Sequence, residues 1–156
     1  RGLGDVYKRQ AETMQKAFAH LKPLLEKSRG PEERPVIVMA TVEGDIHDIG
    51  KNIVCLLLGN HGFDVIDAGK DVPAEQIVAC ALEHKARIIG LSALMTTTMV
   101  RMEDTIRLVR ERNLPIKVLV GGAAVTQAFA DAIGADAYCP DAASAARTAV
   151  AMLRGA

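Results

Sequence analysis

The chain has 156 residues, with 19 Lys plus Arg balanced by 19 Asp plus Glu, no Trp, two Tyr and three Phe. A balanced charge, no basic block and few rings for stacking bases leave nucleic-acid binding without support. No apolar run approaches the roughly 20 residues of a membrane helix and the amino terminus lacks an apolar signal core, so no membrane association is expected and the cytoplasm is the default location.

A chain of this length suits one core domain with a small appendage. Residues 1–10 show neither the helical nor the strand period and read as a disordered leader. In residues 11–28, Met14, Ala17, Phe18, Leu21, Leu24 and Leu25 recur at helical spacing despite Pro23, which predicts an amphipathic helix. Residues 29–35 carry Gly30, Pro31 and Pro35 among polar side chains, so both periods break and a linker is expected. The main domain is 36–156.

Within it, strand-like runs at 36–41, 63–68, 87–92, 116–120 and 135–139 alternate with helical patterns near 50–60, 74–85, 99–112, 125–133 and 141–154. This alternation predicts an α/β fold, a flavodoxin-like parallel sheet of five strands in the order 2-1-3-4-5 with helices on both faces. The punctuation agrees: Pro73 suits a first helical turn, Asp141 an N-cap, and Gly62 and Gly134 helix ends. Cys55, Cys80 and Cys139 form no C-x-x-C pair and read as reduced, buried thiols.

The residues with chemical potential collect where strands end. After the first strand, Asp45 precedes His47 by two positions, close enough to accept one ring N–H and leave the lone pair of the other nitrogen free for a metal. Asp48 offers the same service or caps the next helix. Gly50 is either a plain turn glycine or a place where a flat ligand approaches the backbone. Lys51 and Asn52 open that helix as ligand-binding groups at the mouth or as solvated surface. His20, His61 and His84 lie in helices or at helix ends and read as surface or capping imidazoles. The third strand ends in Ser92, Leu94, Thr96, Thr97 and Thr98, hydroxyls that bond a polar ligand or cap the following helix. The fourth ends in Gly121-Gly122-Ala123-Ala124, where small residues leave a slot between sheet and helices.

Together, Asp45-x-His47-x-x-Gly50, Ser92-x-Leu94 and Gly121-Gly122 resemble the cobalamin-binding signature of B12-dependent methyltransferases and mutases. The stretch from Gly44 to Val54 is similar to cobalamin-dependent methionine synthase and to the small corrinoid proteins of methanol and methylamine metabolism. The likeness runs from about residue 11 to 153.

That resemblance implies cobalamin bound base-off/His-on, with His47 as the lower axial cobalt ligand and Asp45 as its hydrogen-bond partner. Thr98 stands where methionine synthase has a serine, so Asp45, His47 and Thr98 would form a relay through which protons follow ligand release. The cofactor would contact Asp45, His47, Asp48, Gly50, Ser92, Leu94, Thr96, Gly121, Gly122 and Ala123. The 11–28 helix resembles the last helix of a cap over the upper cobalt face, with the earlier helices missing. The implied function is a methyl carrier that works with methyltransferase partners or fused domains and turns over nothing alone, with homocysteine as the favoured acceptor. The alternatives are an adenosylcobalamin mutase domain, a corrinoid-sensing regulator, and, outside B12 chemistry, a flavodoxin-like nucleotide-binding or phospho-receiver module with Asp45 and Asp48 as an acidic pair.

Overall fold

The computed structural model describes residues 34–154. The leader, the 11–28 helix with His20, and residues 29–33 of the linker lie outside the described residues. Five strands, β1 (Val36–Val42), β2 (Asp64–Val72), β3 (Ile88–Ser92), β4 (Lys117–Gly121) and β5 (Ala137–Cys139), form one sheet in the order β2-β1-β3-β4-β5. Every pairing is parallel, giving the flavodoxin-like architecture that the alternating pattern predicts. The helices are α1 (Ile49–Asn60), α2 (Ala74–Glu83), α3 (Thr96–Met99), α4 (Arg101–Glu111), α5 (Gln127–Ile133) and α6 (Ala142–Arg154).

Alternation along β1 builds two cores. Successive strand side chains point to opposite faces, so Ile37 and Met39 join Ile88, Leu119, Leu58 of α1 and the alanines Ala145, Ala146 and Ala149 of α6. Val38, Ala40 and Val42 pack on the other face with Ile77 and Val78 of α2, Met102, Ile106 and Val109 of α4, and Ala130 of α5. Because β1 is covered on both faces it reads as an apolar run interrupted only by the buried Thr41, as suits a central parallel strand.

Most element ends fall where local chemistry places them. Gly134 terminates α5 at φ +79, and Asp141 Oδ1 accepts from the Ser144 N–H at 2.7 Å to start α6. His61 and His84 end α1 and α2, each with its ring Nδ1 2.9 Å from a carbonyl one turn back, as the capping reading expects. All three cysteines are free thiols: Cys139 is buried while Cys55 and Cys80 are half-buried, and burial beside Asp67 pushes the Cys55 thiol up to about 12.

Two elements differ from their predicted form. β2 continues four residues past 68, through Gly69, Lys70 and Asp71, whose polarity hides a strand from any apolar pattern. The helix predicted over 99–112 begins earlier and divides at Val100 into α3 and α4, so Thr96 to Thr98 lie inside a helical turn and Met95, without a side-chain bond, occupies its N-cap.

On α4, Thr105 is fully buried and its Oγ1 has no hydrogen-bond partner among the described residues. A buried hydroxyl without a partner costs free energy that an isosteric methyl does not. Thr105→Val should therefore raise stability by about 1 kcal/mol, seen as a higher urea midpoint with an unchanged slope.

Candidate functional site at the carboxyl edge of the sheet

The loop from β1 to α1 is shaped by a turn in which the Asp45 N–H donates to the Val42 carbonyl at 3.0 Å. Gly44 sits at φ +88 within that turn, a conformation that any side chain would strain. The turn drives Asp45 inward, where it is 0% exposed. Its Oδ1 accepts from the His47 backbone N–H at 3.0 Å and from His47 Nδ1 at 2.7 Å. Its Oδ2 accepts from the Leu94 N–H at 2.8 Å and from Thr98 Oγ1 at 2.7 Å. Burial alone would raise this carboxyl, but the bonds from Thr98, the two backbone N–H groups and the His47 ring outweigh it and hold it well below the usual carboxylate range.

Facing an ionised Asp45, Nδ1 of His47 is the donor, and in the neutral ring that tautomer leaves the Nε2 lone pair free. The Thr41 hydroxyl donates to the His47 carbonyl at 3.3 Å, which steadies the backbone beneath the ring. The His47 side chain is 46% exposed and opens on a cleft of about 670 Å³. This cleft runs between the sheet and the α1/α6 layer, walled by the ends of β1, β3, β4 and β5. Open α/β sheets bind ligands at this edge, where the strand order reverses between β1 and β3.

Small residues make the slot in two ways. A Cβ on Gly50 would meet nothing within 4 Å, so its absence leaves open space at the mouth. Gly122 is different: at φ +128, a Cβ would lie 1.9 Å from the Ala93 carbonyl oxygen, so only glycine lets the β3 and β4 ends come this close. On the opposite wall, the alanines of α6 present short side chains to the sheet.

The structure gathers most of the expected residues. His47, Asp48, Gly50, Ser92, Leu94, Gly121, Gly122 and Ala123 all line the cleft. Asp45 lies beneath it and Thr98 is bonded to Asp45. The threonine's extra methyl does not disturb this contact, since Cγ2 stands beside the bare Cα of Gly44. Asp48 occupies the N-cap of α1 but its side chain makes no cap bond. Thr96 is exposed at the start of α3 and is not among the cleft walls.

Lys51 corrects the sequence reading. It is neither a surface residue nor a free group at the mouth: its side chain is 1% exposed, and Nζ donates to Asp67 at 2.6 Å and to the Gly69 carbonyl at 3.1 Å. Sequence reasoning also passed over Asp67, Asp71 and the Leu94 N–H. Backbone donors leave no mark in a sequence, and both aspartates belong to the polar end of β2.

Among the described residues, no group of three or more His, Cys, Asp or Glu is placed to hold a bare metal ion. A single steered imidazole suits a metal whose equatorial positions are already filled by its own macrocycle. The B12 binding domain model matches residues 35–151. The chain belongs to that family.

Its cofactor is cobalamin or a related corrinoid, and the free Nε2 above a long slot with an open glycine at its mouth fits that group. Dimethylamine corrinoid protein 1 of Methanosarcina acetivorans is 46% identical over 145 residues, covering 92% of this chain and 68% of the relative. The monomethylamine corrinoid protein of Methanosarcina barkeri superposes with a TM-score of 0.73 at 38% identity, over 91% of this chain and 68% of that one. The methanol:cobalamin methyltransferase complex of the same organism gives 0.78 at 34% identity, over 94% of this chain and 56% of that one. These relatives belong to methylamine and methanol systems and lend no support to a homocysteine acceptor. Nor does Asp45 suit a phospho-receiver, because a fully enclosed carboxylate holding four donors is not open to phosphorylation.

Removing the Asp45 carboxylate leaves the Thr98 hydroxyl and the Leu94 N–H buried without their acceptor. Asp45→Ala should cost on the order of 3 kcal/mol at pH 7, measured by urea unfolding. The folded pKa of Asp45 lies below its unfolded value near 3.8, so its stabilisation is present above that value and is lost as pH falls through the folded pKa. The stability gap between wild type and Asp45→Ala should accordingly be full at pH 6 and narrow below about pH 4. Thr98→Ser should keep the bond to Asp45, whereas Thr98→Val should destabilise by about 2 kcal/mol in the same assay.

Proposed function

We propose that this chain is the methyl-carrier module of a methylamine-type methyltransferase system, holding cobalamin base-off with His47 Nε2 as the lower axial ligand. The observation that carries this reading is the His47 ring: Nδ1 is pinned at 2.7 Å to a buried carboxylate, and Nε2 stands free at the mouth of a deep slot. The names of the relatives support the methylamine assignment, and the likeness to the methanol:cobalamin methyltransferase complex supports a methyltransferase partner. The chain alone turns over nothing.

When bound, the cofactor supplies the cobalt that accepts and releases the methyl group. The residues of the chain do the rest. His47 would ligate and orient the cobalt, with Asp45 fixing its tautomer and strengthening the lone pair. Thr98 and the Leu94 N–H donate to Asp45 and keep it anionic, so that its other oxygen would hold the His47 ring in place by the bond to Nδ1. The slot floored by Gly121 and Gly122 would receive the narrow part of the cofactor, and the exposed apolar side chains of Ile46 and Leu94 at its rim would exclude water from the bound group.

Incubation with hydroxocobalamin should give a coloured complex that survives gel filtration, and a methylamine methyltransferase supplied with dimethylamine should methylate the reduced complex. Failure to retain cofactor would sink the reading. His47→Gly should still retain corrinoid but shift its visible spectrum towards that of a corrinoid lacking an axial imidazole. An unchanged spectrum would clear His47 of ligation.

A further inference from the structure

β2 reaches the ligand loop through two irregularities in its pairing with β1. Met39 pairs with Asp67 and Ala40 with Gly69, then Val42 with Val72, so β2 contains one extra residue at each step. Bulges of this kind turn side chains out of the regular pleat and recur beside functional sites. Here the first delivers a carboxylate to the first turn of α1 and the second delivers one to the loop that carries His47.

At the first, Asp67 Oδ1 accepts from the Gly69 N–H at 2.9 Å and from the buried Lys51 Nζ at 2.6 Å, which anchors the first turn of α1. At the second, Asp71 adopts φ +54, a left-handed conformation that aspartate and asparagine tolerate better than most side chains. Asp71 Oδ1 accepts from the Gly44 N–H at 2.7 Å, and the Asp71 N–H donates to the Asp45 carbonyl at 2.9 Å. One residue therefore grips the loop on both sides of the Gly44–Asp45 linkage.

That grip matters because the Asp45 carboxylate meets four donors, two of them from the β3 side, Leu94 and Thr98. Such convergence requires a fixed Asp45 Cα, and Asp71 supplies the hold from the β2 side. We propose that Asp71 is a positioning residue for the axial histidine, acting through the Gly44 and Asp45 backbone, with the Lys51–Asp67 pair as the second anchor beneath α1. This inference rests on the reading of His47 as cobalt ligand. Asp71 is exposed, so its carboxylate adds little to global stability and its effect on ligation is separable from folding.

The test compares Asp71→Gly with Asp71→Asn in protein labelled with ¹⁵N-histidine and loaded with cob(II)alamin. Glycine accepts the positive φ while removing the acceptor, and asparagine keeps both the conformation and an acceptor oxygen. Electron paramagnetic resonance should show the doublet splitting of a protein ¹⁵N ligand in wild type and in Asp71→Asn. In Asp71→Gly the ratio of ligated to unligated histidine should fall roughly tenfold, with cofactor retained and the melting temperature near wild type. Full splitting in Asp71→Gly, equal loss in Asp71→Asn, or unfolding of Asp71→Gly would overturn the positioning role. Absence of the doublet in wild type would instead overturn His47 ligation itself, a separate and distinguishable failure.

Discussion

A single buried carboxylate organises this protein's edge. An ionised group removed from water is tolerated only when its lone pairs are met, and Asp45 meets them with four donors from the β1–α1 loop, the end of β3 and α3. Those segments are far apart in the chain, so satisfying one charge closes them together. The orientation of His47 follows as a consequence, because the same oxygen that accepts its backbone N–H also accepts its ring.

The slot beside the histidine comes from close backbone approach as much as from missing side chains. Gly122 allows the Ala93 carbonyl against its Cα, while the alanines of α6 keep the helix layer shallow over the strand ends. A deep cleft therefore forms at the reversal of strand order without thinning either core. Polar ligation sits at its mouth and apolar or small walls line its depth, an arrangement suited to a large planar group with a narrow appendage.

Shared motifs explain why the homocysteine expectation found no support while the cofactor assignment held. Asp45, His47, Ser92, Leu94, Gly121 and Gly122 surround the place where a corrinoid and its tail would lie. On the proposed reading these residues serve the cofactor, and recognition of the methyl donor and acceptor would fall to partner domains or proteins. A motif built for the cofactor carries no information about the molecule that finally takes the methyl group.

Local order was legible in the residues themselves. Apolar runs separated the strands from the helices, Asp141 and Gly134 marked helix boundaries through bonds spanning a few residues, and the two-residue spacing of Asp45 and His47 placed acid beside imidazole. What tertiary structure alone decided were contacts across long separations: Gly44 with Asp71 over 27 residues, Leu94 with Asp45 over 49 and Thr98 with Asp45 over 53. Lys51 and Asp67 show the reason. Nothing within a helical turn of Lys51 distinguishes a surface lysine from a buried one, and only the bulged path of β2 brings a carboxylate and a carbonyl to its ammonium group. Periodicity encodes which face of an element is apolar; which polar groups meet depends on register and bulges, and those are set when the sheet assembles.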